Sequence, residues 1–459
     1  MQSTNRRYFL RQAGAATCLG GPVLCNGTMS SPTLAAADAK RPRVAAIFTV
    51  LRFRSHAYNI LENFLGPYYF NGKLIDPEVD VVSFYADQFP EDDMTREVAQ
   101  RFDIPLYGSI DKALCVGGKN LDVDAVLLIG EHGDYPYNAR GQHLYPRKRF
   151  FDESVAVMRR ANRFVPLFND KHLSYRWDWA KEMYDTAREH QMPLLAGSSV
   201  PLAQRKPPLD LPAESQIEEA VSIHGGGLES YDFHALEVLQ SIVESRQGGE
   251  TGVVKIELLY GEKLKRARAQ GRWSQDLVDA AMDAEQAMHA KRQSRPSTGV
   301  FKAKPNLNPP PRPEGPHAIA IEYKDGLRAT VLTTGGSSDR WNFACRLRGE
   351  TKPRATAYFN SPWGNRGLFK ALSHAIQQHF IRGVEPYPAE RTLLTTGMVE
   401  AVMRSFEKRG QPIETPHLEI AYQPKPWKQF RESGLTWDII TTETPQPATF
   451  QPRSFAELQ

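Results

Sequence analysis

Residues 164–201 read FVPLFNDKHLSYRWDWAKEMYDTAREHQMPLLAGSSVP. Val165, Leu167 and Phe168 form one short apolar run, and 193–196 form a second. Between them Trp179, Met183 and Ala187 recur at four-residue spacing, the one-face rhythm of a helix. The stretch therefore predicts a strand, an amphipathic helix with Ser174 as its N-cap, and a second strand. In open α/β sheets the side chains at the carboxyl ends of strands face the ligand crevice. The polar cluster Asn169-Asp170-Lys171-His172 follows the first strand, which sets Lys171 at the edge of that crevice.

Upstream, 43–47, 80–85 and 123–129 are further short apolar runs, separated by helical stretches over 56–65, 94–102 and 109–114. Strands alternating with helices at this spacing predict a doubly wound parallel sheet with right-handed crossovers, a Rossmann-like α/β domain over 40–202. The proline-rich stretch 204–214 marks a boundary. An α+β domain with an open, mostly antiparallel sheet is expected over 203–430, followed by a tail over 431–459. In it 252–260, 318–323, 327–334, 345–348 and 355–359 read as strands, the second and third joined by an Asp325-Gly326 turn. Helices are expected over 273–291, 369–382 and 392–408, and an extended loop over 302–316.

Asn169 to Ser174 with the helix and strand after it, and Ile104-Pro-Leu-Tyr-Gly-Ser-Ile-Asp-Lys-Ala-Leu114 with Val123-Asp124-Ala125-Val126, carry a likeness. Together they resemble the nucleotide domain of the glucose–fructose oxidoreductase / inositol dehydrogenase (Gfo/Idh/MocA) family over about residues 43–201. Asp170 stands for the glutamate and Lys171 for the lysine of that family's Glu-Lys-Pro signature, and His172 replaces the proline. After a Gly225-Gly226-Gly227 cluster, His234 matches the family's helix histidine. Ser230 occupies the position of its usual aspartate, flanked by Glu229 and Asp232. The resemblance implies an oxidoreductase acting on a sugar or polyol with NAD or NADP. Lys171 would polarise the reacting oxygen, and His234 would exchange its proton.

The likeness breaks at the first turn. Phe48, Val50 and Phe53 occupy the three positions where a dinucleotide site needs glycine. Arg52 and Arg54 remain as candidate phosphate contacts, Asp87 as the carboxylate for a ribose hydroxyl, and His132 as a nicotinamide-side residue. Glu131, Tyr135, His172 and Asp232 are the candidate contacts to a polyhydroxylated substrate, whose hydroxyls want paired donors and acceptors. The missing glycines motivate a second reading. In it a protein of this shape binds a carbohydrate or cell-envelope ligand without a cofactor, or does metal-assisted sugar chemistry.

The chain has 459 residues, 41% hydrophobic and 24% charged, enough for two domains with proper cores. A formal charge of +4 gives no bulk attraction to nucleic acid or membrane. The small carbohydrate partner is what the resemblance implies. Resemblance adds a possible homo-oligomer. Arg6-Arg7, the weakly apolar stretch 13–24 and the small-x-small site at 37–39 read as a twin-arginine export signal. They imply a periplasmic protein, and the apolar stretch is too short for a lasting membrane span. Cys115 and Cys345 are expected as free buried thiols. No Cys/His zinc spacing exists, so no metal site is predicted. His224-Gly-Gly-Gly imitates an esterase oxyanion loop, but no G-x-S-x-G accompanies it, which excludes that hydrolase class.

Overall fold

The computed structural model describes residues 40–290, 313 and 315–447. The export signal and most of the 302–316 loop lie outside the described residues. The chain runs β1 (Arg43–Phe48), α1 (His56–Leu61), a hairpin of β2 (Tyr68–Phe70) and β3 (Lys73–Ile75), β4 (Asp80–Ala86), α2 (Thr95–Arg101), α3 (Ile110–Leu114), β5 (Ala125–Ile129) and α4 (Arg147–Ala161). The quoted stretch then supplies β6 (Leu167–Asp170), α5 (Trp177–Glu189) and β7 (Leu194–Gly197). Strands β4-β1-β5-β6-β7, in that order, form one parallel sheet.

Burial on both faces explains why these strands read as continuous apolar runs rather than alternating ones. The period of two is still present beneath. Val44, Ala46 and Phe48 enter one core cluster with Tyr58 and Leu61, while Ala45 and Ile47 enter another with Ile110 and Leu114. Cys115 and Cys345 are buried free thiols, as expected.

The remainder runs β8 (Gln204–Lys206), β9 (Ile217–His224), α6 (Ser230–Val243), β10 (Val253–Tyr260), α7 (Gly261–Ala269), α8 (Gln275–Ala290), β11 (His317–Tyr323), β12 (Arg328–Thr333), β13 (Trp341–Leu347) and β14 (Arg354–Phe359). It closes with α9 (Asn365–Arg382), α10 (Ala389–Glu407), β15 (Ile413–Glu414) and α11 (Thr436–Ile439). Eight strands form a mixed sheet in the order β15-β10-β11-β12-β9-β13-β14-β8, parallel at β12–β9 and antiparallel elsewhere. The β11–β12 hairpin turns at Asp325-Gly326, where Gly326 takes φ +91°, a conformation glycine adopts at no steric cost.

Helices α6 and α10 lie on one face of this sheet. On the other, Trp273, Leu277 and Ala281 from α8 and the turn before it pack on Val221, Ala318 and Ala344. Helix α10 also packs on α5 and β7, so the two sheets share a core. At Gly397 of α10 an added Cβ would sit 2.3 Å from Leu418 and 2.8 Å from the Trp177 ring, so this close approach admits no larger residue.

Three local expectations are corrected. Ser174 does not cap α5, whose N-cap is Arg176 with no side-chain cap bond; Ser174 Oγ instead accepts Arg176 N–H at 3.4 Å. Trp179 is only half-buried; Ala180, Met183 and Ala187 face the core, and Trp177 packs beside them. Residues 204–206 of the expected connector are a strand at the edge of the larger sheet. Among the described residues, no helix is long and apolar enough to cross a membrane.

Candidate functional site

The loops after β1, β5, β6 and β7 meet the first turn of α6. Lys171 is the residue just past β6 and takes a left-handed backbone, φ 62°, as do His132 at 70° and Glu229 at 71°. Such conformations are costly for residues with a side chain and cluster where the surrounding fold enforces them for function. Lys171 Nζ donates to Glu131 Oε1 at 2.7 Å and to Ser230 Oγ at 3.1 Å. Arg147 donates to Glu131 Oε2 from the first residue of α4. Burial pushes the Glu131 carboxyl up, but Lys171 and Arg147 outweigh it and hold it well below the usual carboxylate range. Ser230 thus reaches Lys171 from the position where the family resemblance places an aspartate. The carboxylate beside the lysine comes instead from the end of β5.

Arg147 Nη1 lies 3.2 Å from His172 Nε2. A guanidinium can only donate, so Nε2 accepts and Nδ1 carries the proton. Among the described residues that Nδ1 is buried with no hydrogen-bond partner, an unsatisfied donor. Glu229 accepts His143 N–H at 3.2 Å. Burial, only partly opposed by that N–H and by Arg147, pushes its carboxyl up to about 8, so it holds its proton at neutral pH. His234 Nδ1 is 2.6 Å from Ser198 Oγ. Burial first, then the Lys171 charge, holds its imidazole well below the usual range and therefore neutral.

Asp232 lies deeper. Its Oδ1 is 3.0 Å from His224 Nε2 and 2.8 Å from His317 Nε2, while Oδ2 accepts Glu229 N–H at 2.9 Å in a capping box. The donor atoms of His224, Asp232 and His317 lie within 4.8 Å of one another, the spacing of a metal site. However, Gly226 N–H donates to His224 Nδ1 at 3.3 Å, which leaves the proton on Nε2, facing Asp232. In that tautomer Nε2 has no lone pair for an ion, and the lone pair on Nδ1 is taken by Gly226 N–H. The cluster fixes the strained start of α6, and with it Glu229 and Ser230.

On the dinucleotide side, Phe48 and Val50 have no exposed surface, and Phe48 packs edge-to-face on Phe84 at 5.4 Å. Phe53 is 42% exposed and packs edge-to-face on Tyr58 at 5.2 Å. A dinucleotide turn offers free amides to the pyrophosphate. Here Leu51 N donates to Asp93 Oδ2 at 2.9 Å, Arg52 N to Ser55 Oγ at 3.2 Å and Ser55 N to Arg52 O at 2.9 Å. Asp87 accepts from Tyr85 at 2.7 Å, from Tyr135 at 2.6 Å and from Arg149. Those bonds outweigh burial and lower its carboxyl. Arg52 lies 3.7 Å from Asp92, and Arg54 donates to Trp363 O and Asn365 Oδ1 at α9. The residues present do not fit an extended dinucleotide in this conformation.

The structure thus brings Glu131, Lys171, His172, Glu229 and Asp232 into one contiguous network. His132 joins it through His56, whose rings lie 5.2 Å apart and whose Nδ1 is 2.6 Å from Asp170 Oδ2. Asp87 and Tyr135 pair with each other, and Arg52 and Arg54 point elsewhere. Arg147, His56 and Ser198 carry no sequence signal that singles them out. A basic helix start and polar residues at strand ends are too common for that.

No protein-family model matches the chain, and no curated protein sequence matches it. Solved structures do. The myo-inositol dehydrogenase of Lactobacillus casei, in complex with NAD(H) and myo-inositol, superposes with a TM-score of 0.52 at 13% identity, covering 85% of this chain and 99% of that one. GenD2 from gentamicin A biosynthesis, in complex with NAD, superposes with a TM-score of 0.51 at 12% identity, covering 83% and 97%. At such identities the likeness is one of architecture: a five-stranded parallel sheet followed by a mixed, mostly antiparallel open sheet. The chain has the two-domain fold of the inositol dehydrogenases and related Gfo/Idh/MocA oxidoreductases.

Proposed function

We propose that the crevice binds a sugar or polyol and moves protons on it without a nicotinamide. The observation that carries this reading is the self-occupied dinucleotide side: Asp87 is held by Tyr85, Tyr135 and Arg149, and the turn amides by Asp93 and Ser55. The chemistry that remains is acid–base. The Lys171 ammonium, anchored by Glu131 and Ser230, can hydrogen-bond a substrate oxygen. Neutral Glu229 can give a proton, and neutral His234 can accept one. His172 Nδ1–H supplies a further donor to a ligand hydroxyl. The periplasm is the proposed location, on the strength of Arg6-Arg7 and the apolar stretch after them.

A second reading, a sugar oxidoreductase using NAD or NADP, is favoured by one feature. Lys171 sits at the end of β6 with a hydroxyl of α6 within 3.1 Å. It requires Tyr135 and Arg149 to leave Asp87. Calorimetric titration separates the two. The expected result is no heat with NAD, NADH, NADP or NADPH up to about 1 mM, and binding of at least one sugar or polyol that Lys171→Ala abolishes. Micromolar nucleotide binding, strengthened by Tyr135→Phe, would overturn the first reading and establish the second.

A further inference from the structure

Helix α1 starts beside the crevice at His56, and its far end reaches a cavity of about 330 Å3. Leu65, Tyr68, Phe102, Trp363 and Ile440 line it, with residues 439–447 passing over it. Two cations also face it, and they differ. Arg366 is neutralised: Glu62 accepts its Nε at 3.0 Å and also its Nη2, and Pro447 O accepts Nη1 at 2.6 Å. Lys370 is 6% exposed and has no carboxylate within 4.0 Å among the described residues. Its one hydrogen-bond acceptor there is Asn63 Oδ1, at a marginal 3.5 Å. The Trp363 ring lies 5.8 Å from its Nζ.

A buried lysine with no carboxylate in direct contact among the described residues is costly, since Glu62 and Glu432 act on it only from a distance. Placed at the wall of an apolar cavity of ligand size, it is a charge waiting for its opposite. Burial lowers its pKa, against the charges of Glu62 and Glu432, so an anion arriving at Nζ would favour the charged form. We propose that this cavity binds a small amphiphilic anion, its carboxylate on Lys370 Nζ and its apolar body against Tyr68, Phe102 and Trp363. The site is separate from the crevice and independent of what the crevice does.

Sodium decanoate is the probe, titrated calorimetrically into the full-length protein. The expected dissociation constant is about 10 to 100 μM, weakened at least about tenfold by Lys370→Met and held within about threefold by Lys370→Arg. Decanol, with the same body and no charge, is expected to bind at least about tenfold more weakly than decanoate. Lys370→Met replaces a lone buried cation by an apolar side chain of similar length, so it is expected to fold with an equal or higher Tm. That keeps a loss of binding from being a loss of fold. Lys171→Met, in the crevice, is expected to leave decanoate affinity unchanged. The proposal is overturned if decanoate does not bind, if Lys370→Met binds it as well as the parent, or if decanol matches it.

Discussion

Glu229→Gln is expected to abolish a fall in stability that the parent protein shows between about pH 5 and about pH 8. The folded-state carboxyl is pushed up to about 8 by burial, whereas an unfolded glutamate titrates near about 4.3. Between those values the native protein holds a proton that the unfolded chain has released. Stability therefore falls as pH rises. The contribution is complete below the unfolded value and lost through the folded one. A tenfold change in proton affinity is worth about 1.4 kcal/mol, so the whole difference is on the order of 4 to 5 kcal/mol. Glutamine keeps the shape and the acceptor for His143 N–H, and it does not titrate. Urea unfolding of both proteins at about pH 5 and about pH 8 reads the effect as the difference between two slopes, since other groups titrate equally in both. Parallel slopes would mean that Glu229 ionises normally, which would remove the proton donor from the proposed chemistry.

Arg391→Met is expected to destabilise the protein by about 3 to 5 kcal/mol, because it strands a charge. Arg391 and Glu244 are 1% and 0% exposed in their side chains. Arg391 Nε donates to Glu244 Oε2 at 2.9 Å, Nη2 donates to Oε1, and Tyr422 OH adds a bond at 2.9 Å. The guanidinium stacks on Tyr387 and Trp427, each 4.6 Å away. The pair ties α10 to the end of α6, and the next turn of α10 holds the site: Thr392 Oγ1 donates to Ala196 O at 3.0 Å, and Thr396 Oγ1 accepts Leu173 N–H at 3.1 Å. Leu173 is two residues after Lys171. The double replacement Arg391→Met with Glu244→Leu is expected to recover most of the loss, since it leaves no unpaired charge. A single-variant loss under about 1 kcal/mol in urea titration would show that Glu244 is solvated rather than buried.

Periodicity made the scaffold legible. The short apolar runs at β1, β5, β6 and β7 read as strands covered on both faces, and of Trp179, Met183 and Ala187, which read as the inner face of a crossover helix, Met183 and Ala187 are on it. That pattern alone set Lys171 at a strand's carboxyl end. The loss of the glycines at 48, 50 and 53 was equally legible. Their consequence was not: Phe48 went into the core beneath α1 and Phe53 against Tyr58, and the turn was closed by Asp93 and Ser55 rather than by aromatic bulk.

The sequence by itself determined which faces are buried, because burial follows a local period of two or 3.6 that the chain repeats within each element. Only the tertiary structure decided which polar groups meet. Tyr135 and Arg149 lie 48 and 62 residues beyond the Asp87 they occupy, Glu131 lies 40 before Lys171, and His317 lies 85 after Asp232. No local pattern encodes such pairs. Those of Asp87, Glu131 and Lys171 form because parallel strands end at one edge of a sheet, where their loops converge, and that of His317 with Asp232 forms because α6 packs on the larger sheet.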